Sequence, residues 1–164
     1  MKKSSLCLDI GASKMRIAFV SGTKIENKKV FKTPKTKKDI LKQIIRIISS
    51  YNKVEVFDKI SVAITGFEKN WKIQGALNAD LNNVWLRKIL MKKFRKKVFI
   101  QNDARCAALA ELKFGAGKKF NNFVLLTLGT GVGGAIVINK KLYLGNGSAG
   151  EVGNIFLNKK IFEH

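Results

Sequence analysis

Between Leu125 and Asn154 the chain reads LLTLGTGVGGAIVINKKLYLGNGSAGEVGN, and this stretch limits what the rest can be. An apolar run, Phe123 to Leu128, meets Gly129-Thr130-Gly131 and then Gly133-Gly134. A second run, Ala135 to Ile138, leads through a polar corner at Asn139-Lys140-Lys141 to a third, Leu142 to Leu144. The order is strand, glycine turn, strand, turn, strand. Four glycines in six residues, among strands that otherwise favour bulky side chains, require either a positive φ or something lying close against the backbone. A phosphate meets the second requirement, because consecutive bare N–H groups form an anion-binding concavity. A hairpin that merely turns tightly meets the first.

At 164 residues, 46% of them hydrophobic, the chain makes one ordinary domain, or one domain and part of another. No apolar run approaches the length of a membrane span, and the start, MKKSSLCLDIGASK, lacks the pattern of a secretory leader, so a cytoplasmic location is expected. Cys7 and Cys106 fit no zinc or disulfide spacing and are expected to be small buried hydrophobes. The balance of 32 Lys plus Arg against 11 Asp plus Glu gives +21, which attracts any polyanion. Yet Arg occurs only at 16, 46, 87, 95 and 105, and the richness in Lys, Asn and Ile matches A/T-rich codons. Base readout favours Arg forks and stacked aromatics. A solvated basic surface is therefore expected, and specific nucleic-acid binding is not.

Leu6-Cys7-Leu8 is a short strand ending at Asp9-Ile10-Gly11-Ala12-Ser13-Lys14, and Met15 to Val20 resumes as a second. Asp9 then stands at the carboxyl end of its strand, where open α/β sheets place ligands. It could hold Mg²⁺ through water, with Gly11 turning the chain and Ser13 and Lys14 supplying a hydroxyl and a cation. A plain hairpin with a polar tip reads equally from these residues. A third strand, Ile25 to Phe31, leads to apolar residues at 40, 41, 44, 45, 47 and 48, spaced as an amphipathic helix, and then to a strand from Ile60 to Thr65. Lys69 to Leu81 reads as an irregular loop, with Trp71 and Trp85 as packing residues or a substrate wall. Val84 to Phe94 reads as a basic helix. A strand at Val98 to Ile100 ends at Gln101-Asn102-Asp103, and Arg105 to Phe114 reads as a helix closed by Gly115. Asp103 is either a helix cap or a carboxylate facing the same cleft as Asp9.

Three segments thus stand in order: DIGASK, QNDARCAALAE and TLGTGVGGAIVINKKLYLGNGSAGEVGN. In that order they closely resemble the ROK family of sugar kinases and related repressors, within the actin-like ATPase superfamily. The resemblance implies an α/β chain with the actin-like ATPase (ribonuclease H-like) fold. One complete N-terminal lobe, residues 1–117, would precede the opening strands of a second, residues 118–164. It implies ATP-dependent phosphorylation of a hexose or related sugar. Asp9, Gly11, Ser13 and Lys14 match the first phosphate motif, and Gly129, Thr130, Gly131, Gly133 and Gly134 the second. Asn102 and Asp103 match the pair that holds the sugar, with Asp103 as catalytic base, and Glu151 matches a carboxylate that grips sugar hydroxyls. ATP and Mg²⁺ are the implied cofactors, with Asp9 holding Mg²⁺ through water.

Asn154 stands where sugar kinases of the family usually carry a His that touches sugar and often zinc. Asn can hydrogen-bond a hydroxyl but is a poor zinc ligand, so no zinc site is expected. The cysteine cluster and the adenosine-binding segment of the family pattern lie beyond what the chain matches. A truncated or split form is therefore expected, one that leaves a sheet face open and so forms a homo-oligomer or takes a completing partner chain. The alternative is a catalytically inactive sugar-binding or interaction protein on the same scaffold. A repressor is disfavoured, since only eight residues precede Asp9.

Overall fold

The computed structural model describes residues 4–52, 56–76, 80–129 and 131–154. The chain divides into two compact units, Met1–Asp103 and Ala104–His164. In the first, β1 (Ser4–Ile10), β2 (Lys14–Ser21), β3 (Lys24–Lys32), α1 (Lys37–Tyr51) and β4 (Lys59–Ile64) follow in order. Then come β5 (Phe67–Lys69), β6 (Lys72–Gln74), α2 (Leu86–Phe94) and β7 (Lys97–Asn102). The main sheet runs β3-β2-β1-β4-β7, with β1, β4 and β7 parallel and the first hairpins antiparallel.

The register of this sheet follows from its apolar alternation. Leu6, Leu8 and Ile10 stand level with Ile60, Val62 and Ile64, and those with Val98, Ile100 and Asn102. On the other side they meet Phe19, Ile17 and Met15. All but Ile100 are buried, and the apolar ones, with Ile40, Ile44, Ile47, Ile48 and Tyr51 of α1 and Leu86 and Leu90 of α2, form the core of this unit. Each large aliphatic side chain so buried contributes about 1.5–3 kcal/mol. Thr36 starts α1: its hydroxyl accepts from the Asp39 N–H at 3.2 Å and donates to the Asp39 carboxylate at 2.7 Å. At the open edge, β3 exposes Lys24, Lys28, Lys29 and Lys32, charges that discourage edge-to-edge pairing.

The segment read as an irregular loop holds a hairpin instead. β5 and β6 pair antiparallel, Phe67 with Gln74 and Lys69 with Lys72, around a two-residue turn. Asn70 and Trp71 there have φ of 50° and 67°, the left-handed pair of a type I′ turn. That turn normally places Gly second; the absence of an Asn-Gly signature hid it from the sequence.

The second unit holds α3 (Asp103–Phe114, its first residue shared with the first unit), β8 (Phe123–Leu128), β9 (Val132–Ile138) and β10 (Lys141–Tyr143), in the sheet order β10-β9-β8. The unit boundary falls at Asp103 because Ala108 and Leu112 of α3 pack on Ala135, Val137, Phe123 and Leu125. Gly115 does not close α3 in a left-handed conformation, since its φ is −105°. The Glu111 carboxylate wraps back to accept from the Ala116 N–H at 2.9 Å and fills the space a Cβ on Gly115 would need. The opposite sheet face leaves Val124, Leu126, Leu128 and Val132 exposed, as the open face expected from the sequence. Cys7 and Cys106 are half-buried rather than fully buried. Among the described residues no helix is long and apolar enough to cross a membrane.

Two substitutions test this account by urea unfolding. Ile44→Ala, which empties a fully buried site under α1, lowers stability by about 2–5 kcal/mol. Trp71→Gly raises it by about 1 kcal/mol, because glycine removes the left-handed penalty at the hairpin tip.

Candidate functional site

Parallel pairing brings the carboxyl ends of β1, β4 and β7 to one edge of the first sheet. Asp9, Ala63 and Gln101 stand in one row, and Ile10, Ile64 and Asn102 in the next. Asp9 and Asn102 are thereby two strands apart, about 10 Å at the usual strand spacing. Asp103 follows directly, as the first residue of α3. A carboxylate in the first turn of a helix is favoured by the unpaired N–H groups and the positive end of the dipole.

The first turn is braced from its own unit. The Gly11 N–H donates to the Lys14 carbonyl at 3.0 Å, the Thr33 hydroxyl donates to the Gly11 carbonyl at 2.8 Å, and the Thr33 N–H donates to the Ser13 carbonyl at 3.0 Å. Ser13 and Lys14 project as exposed residues. Asp9 is half-exposed and accepts from Arg16 Nη1 at 2.8 Å, the cross-strand neighbour set by the hairpin register. Asn102 is 6% exposed; its side-chain amide donates to the Gly66 carbonyl at 3.1 Å, tying β7 to the chain that leaves β4. Gly66 itself has a φ of 87° and lies so close to β6 that a Cβ would sit 2.3 Å from the Gln74 carbonyl oxygen. Arg16, Thr33 and Gly66 escaped the sequence reading. Arg16 was recoverable, because a hairpin pairing Ile10 with Met15 puts Asp9 opposite it.

In the second unit the four glycines divide into two kinds. Gly129 and Gly131 are exposed, with nothing within 4 Å of where a Cβ would stand, and the Gly129 N–H donates to the Gly131 carbonyl at 3.0 Å. Thr130 lies outside the described residues. Gly133 and Gly134 are approached by the unit's own chain. A Cβ on Gly133 would meet the Thr127 hydroxyl at 2.6 Å, and one on Gly134 would meet the Gly150 carbonyl oxygen at 2.6 Å and Val152 at 2.8 Å. The segment carrying Glu151 thus lies directly on β9.

A buried cation fastens that segment. Arg105, 4% exposed, donates through Nη2 to the Gly147 carbonyl at 2.7 Å and the Ala149 carbonyl at 3.1 Å. Glu151 is half-buried, its N–H donating to the Ser148 carbonyl at 3.2 Å. Asn154 ends the short 3₁₀ turn that follows, Val152–Asn154. The sequence signal for Arg105 was an isolated basic residue within an alanine-rich helix start. No group of three metal-ligating side chains occurs among the described residues.

The glycine division is testable by thermal or urea unfolding. Gly134→Ala costs about 1–3 kcal/mol, since the added methyl has no room between β9 and Gly150. Gly131→Ala changes stability by less than about 0.5 kcal/mol.

A family model described as "ROK family" matches residues 5–163 of the chain. N-acetylmannosamine kinase of Haemophilus influenzae is 33% identical over 156 residues, covering 91% of this chain and 51% of that protein. The xylose repressor of Bacillus spizizenii is 35% identical over 101 residues, covering 60% of this chain and 26% of its own length. Among solved structures, a ROK family glucokinase from Streptomyces griseus, in complex with glucose and AMPPNP, superposes with a TM-score of 0.84 at 28% identity. That match covers 94% of this chain and 51% of the glucokinase. The chain spans about half the length of the curated kinases it matches. With that match running almost from end to end, on an α/β fold of the actin-like ATPase type, the chain belongs to the ROK family.

Proposed function

We propose that the chain serves ATP-dependent phosphorylation of a hexose or related sugar. The observation that carries this reading is the shared sheet edge, which sets Asp9 one register row from Asn102, with Asp103 next in the chain. Asp103 is the general base and Asn102, Glu151 and Asn154 hold the sugar. Gly129, Thr130, Gly131, Gly133 and Gly134 hold phosphate oxygens together with Gly11, Ser13 and Lys14. A sugar hydroxyl oxygen bonds to the γ-phosphorus as the bond to the β-phosphate oxygen breaks; ADP leaves and the hydroxyl proton passes to Asp103. Such a transfer depends on positioning and charge neutralisation more than on covalent help from the protein.

The residues present fit a nucleotide tail in part. Gly129 and Gly131 offer open backbone, whereas Gly133 and Gly134 serve packing and bring the Glu151 segment in. Asp9 is half-exposed, and an exposed ion pair such as that with Arg16 holds it by no more than about 1 kcal/mol, so its carboxylate is available to a hydrated cation. Mg²⁺, held with the phosphates and through water by Asp9, would neutralise their charge. The relatives named as kinases suggest glucose or an N-acetylated hexosamine as acceptor. The exposed apolar row Val124, Leu126 and Leu128 offers surface to a second copy or a completing chain.

A second reading, a sugar-binding or interaction protein without turnover, is favoured by the packing role of Gly133 and Gly134, which need no phosphate to explain them.

Coupled ADP release with a panel of hexoses and N-acetylhexosamines tests both readings. Asp103→Asn is expected to lower kcat by about 10²–10⁴-fold while leaving sugar affinity, measured by calorimetry, nearly unchanged. Full turnover in Asp103→Asn removes Asp103 as base. No turnover with any acceptor, together with retained sugar binding, selects the second reading.

A further inference from the structure

The tip of the β5–β6 hairpin gathers recognition chemistry that the phosphotransfer reading does not use. A cavity of about 360 Å³ is lined by Glu68, Asn70, Trp71 and Arg87, all within the first unit. Both tryptophans of the chain lie here. Lys88 Nζ stands 3.6 Å from the centre of the Trp85 ring and 5.9 Å from that of Trp71, so one ammonium serves both indoles. Lys72 approaches Trp85 at 5.3 Å and the Arg87 guanidinium approaches Trp71 at 5.6 Å. Arg87 and Glu68 form a two-pronged ion pair, 3.1 Å through Nε and 2.5 Å through Nη2, and cancel each other's charge. Lys72 and Lys88 form no ion pair with a carboxylate among the described residues. The site therefore carries a net positive charge.

Trp71 is 50% exposed and sits where a type I′ turn prefers glycine. A bulky side chain kept in a left-handed conformation, with half its surface in water, is not explained by packing. An indole face flanked by an amide, a carboxylate–guanidinium pair and ammonium groups has the composition of a pocket that orients a ring by a few polar contacts. We propose that this hairpin tip binds an anionic pyranose, a sugar ring carrying a carboxylate or a phosphate. The C–H face of the ring lies on Trp71, its hydroxyls meet Asn70 and the Glu68–Arg87 pair, and its anionic group meets Lys88 and Lys72. The tip lies four residues from Gly66, about 13 Å of strand, so this ligand is separate from any hydroxyl held at Asn102. The inference goes beyond the phosphotransfer reading and does not depend on it.

Because the chain has two tryptophans and both lie here, intrinsic fluorescence reports on this site alone. The full chain is titrated with glucuronate, glucose 6-phosphate, glucose and inorganic phosphate, and with a short oligothymidylate. Either charged sugar is expected to give a saturable change, with glucose and phosphate at least about tenfold weaker; which charged sugar binds more tightly identifies the anionic group. Trp71→Gly, which suits the turn and keeps the fold, and Lys88→Ala each weaken binding about tenfold or more by calorimetry, while Lys28→Ala, on the exposed β3 edge, binds as the parent does. Phosphate alone binding as tightly as either sugar overturns the proposal, as does oligothymidylate binding more tightly than both. It also fails if Trp71→Gly binds normally or if neither charged sugar changes the fluorescence.

Discussion

Parallel pairing of β1, β4 and β7 in a single register is the constraint on which the rest of the first unit depends. It sets Leu8 level with Val62 and Ile100 inside the core, and so sets Asp9 level with Ala63 and Gln101 on the other face. A slip of one residue would exchange these faces, because side chains alternate with a period of two. The Asp9 carboxylate would then enter the apolar layer under α1, at a desolvation cost of several kcal/mol or more. The burial that stabilises the sheet therefore also fixes which polar residues emerge at its carboxyl edge. Asn102, which ends the apolar row of β7, is the one polar member admitted to it, and its amide is engaged by the Gly66 carbonyl.

The second unit achieves a comparable fixation with less apolar material. Its core is small, Ala108, Ala135 and Val137 with four half-buried neighbours, and the segment from Gly145 to Gly153 brings no apolar side chain larger than Val152 to anchor it. Two other devices take over. Glycines at 134, 150 and 153 let backbone lie on backbone, and the buried Arg105 fork collects carbonyls that would otherwise be left without donors. Glu151 inherits its position from both.

Much of this was legible from residue order. The 3.6-residue spacing of α1, the apolar runs of β1, β4 and β8, and the placing of Asp9 and Asn102 at strand ends all follow from patterns of apolar residues. The β5–β6 hairpin was not legible, because its turn carries Asn-Trp in place of the expected Asn-Gly. Gly115 closes α3 where the sequence places it, directly after Phe114, but without a left-handed backbone, because the Glu111 side chain occupies the space and φ stays negative.

By itself, then, the sequence determined the α/β class, the family and the order of the polar segments, since these rest on local periodicity and on motifs contiguous in the chain. Only the tertiary structure decided why each glycine is there. Gly129 and Gly131 face open space, whereas Gly133 and Gly134 are required by neighbours as far along the chain as Ala104 and Val152. It likewise decided that Arg105 is buried and Trp71 exposed, the reverse of what charge and size alone suggest. Close approach between distant segments is a property of packing, and no window of sequence contains both partners.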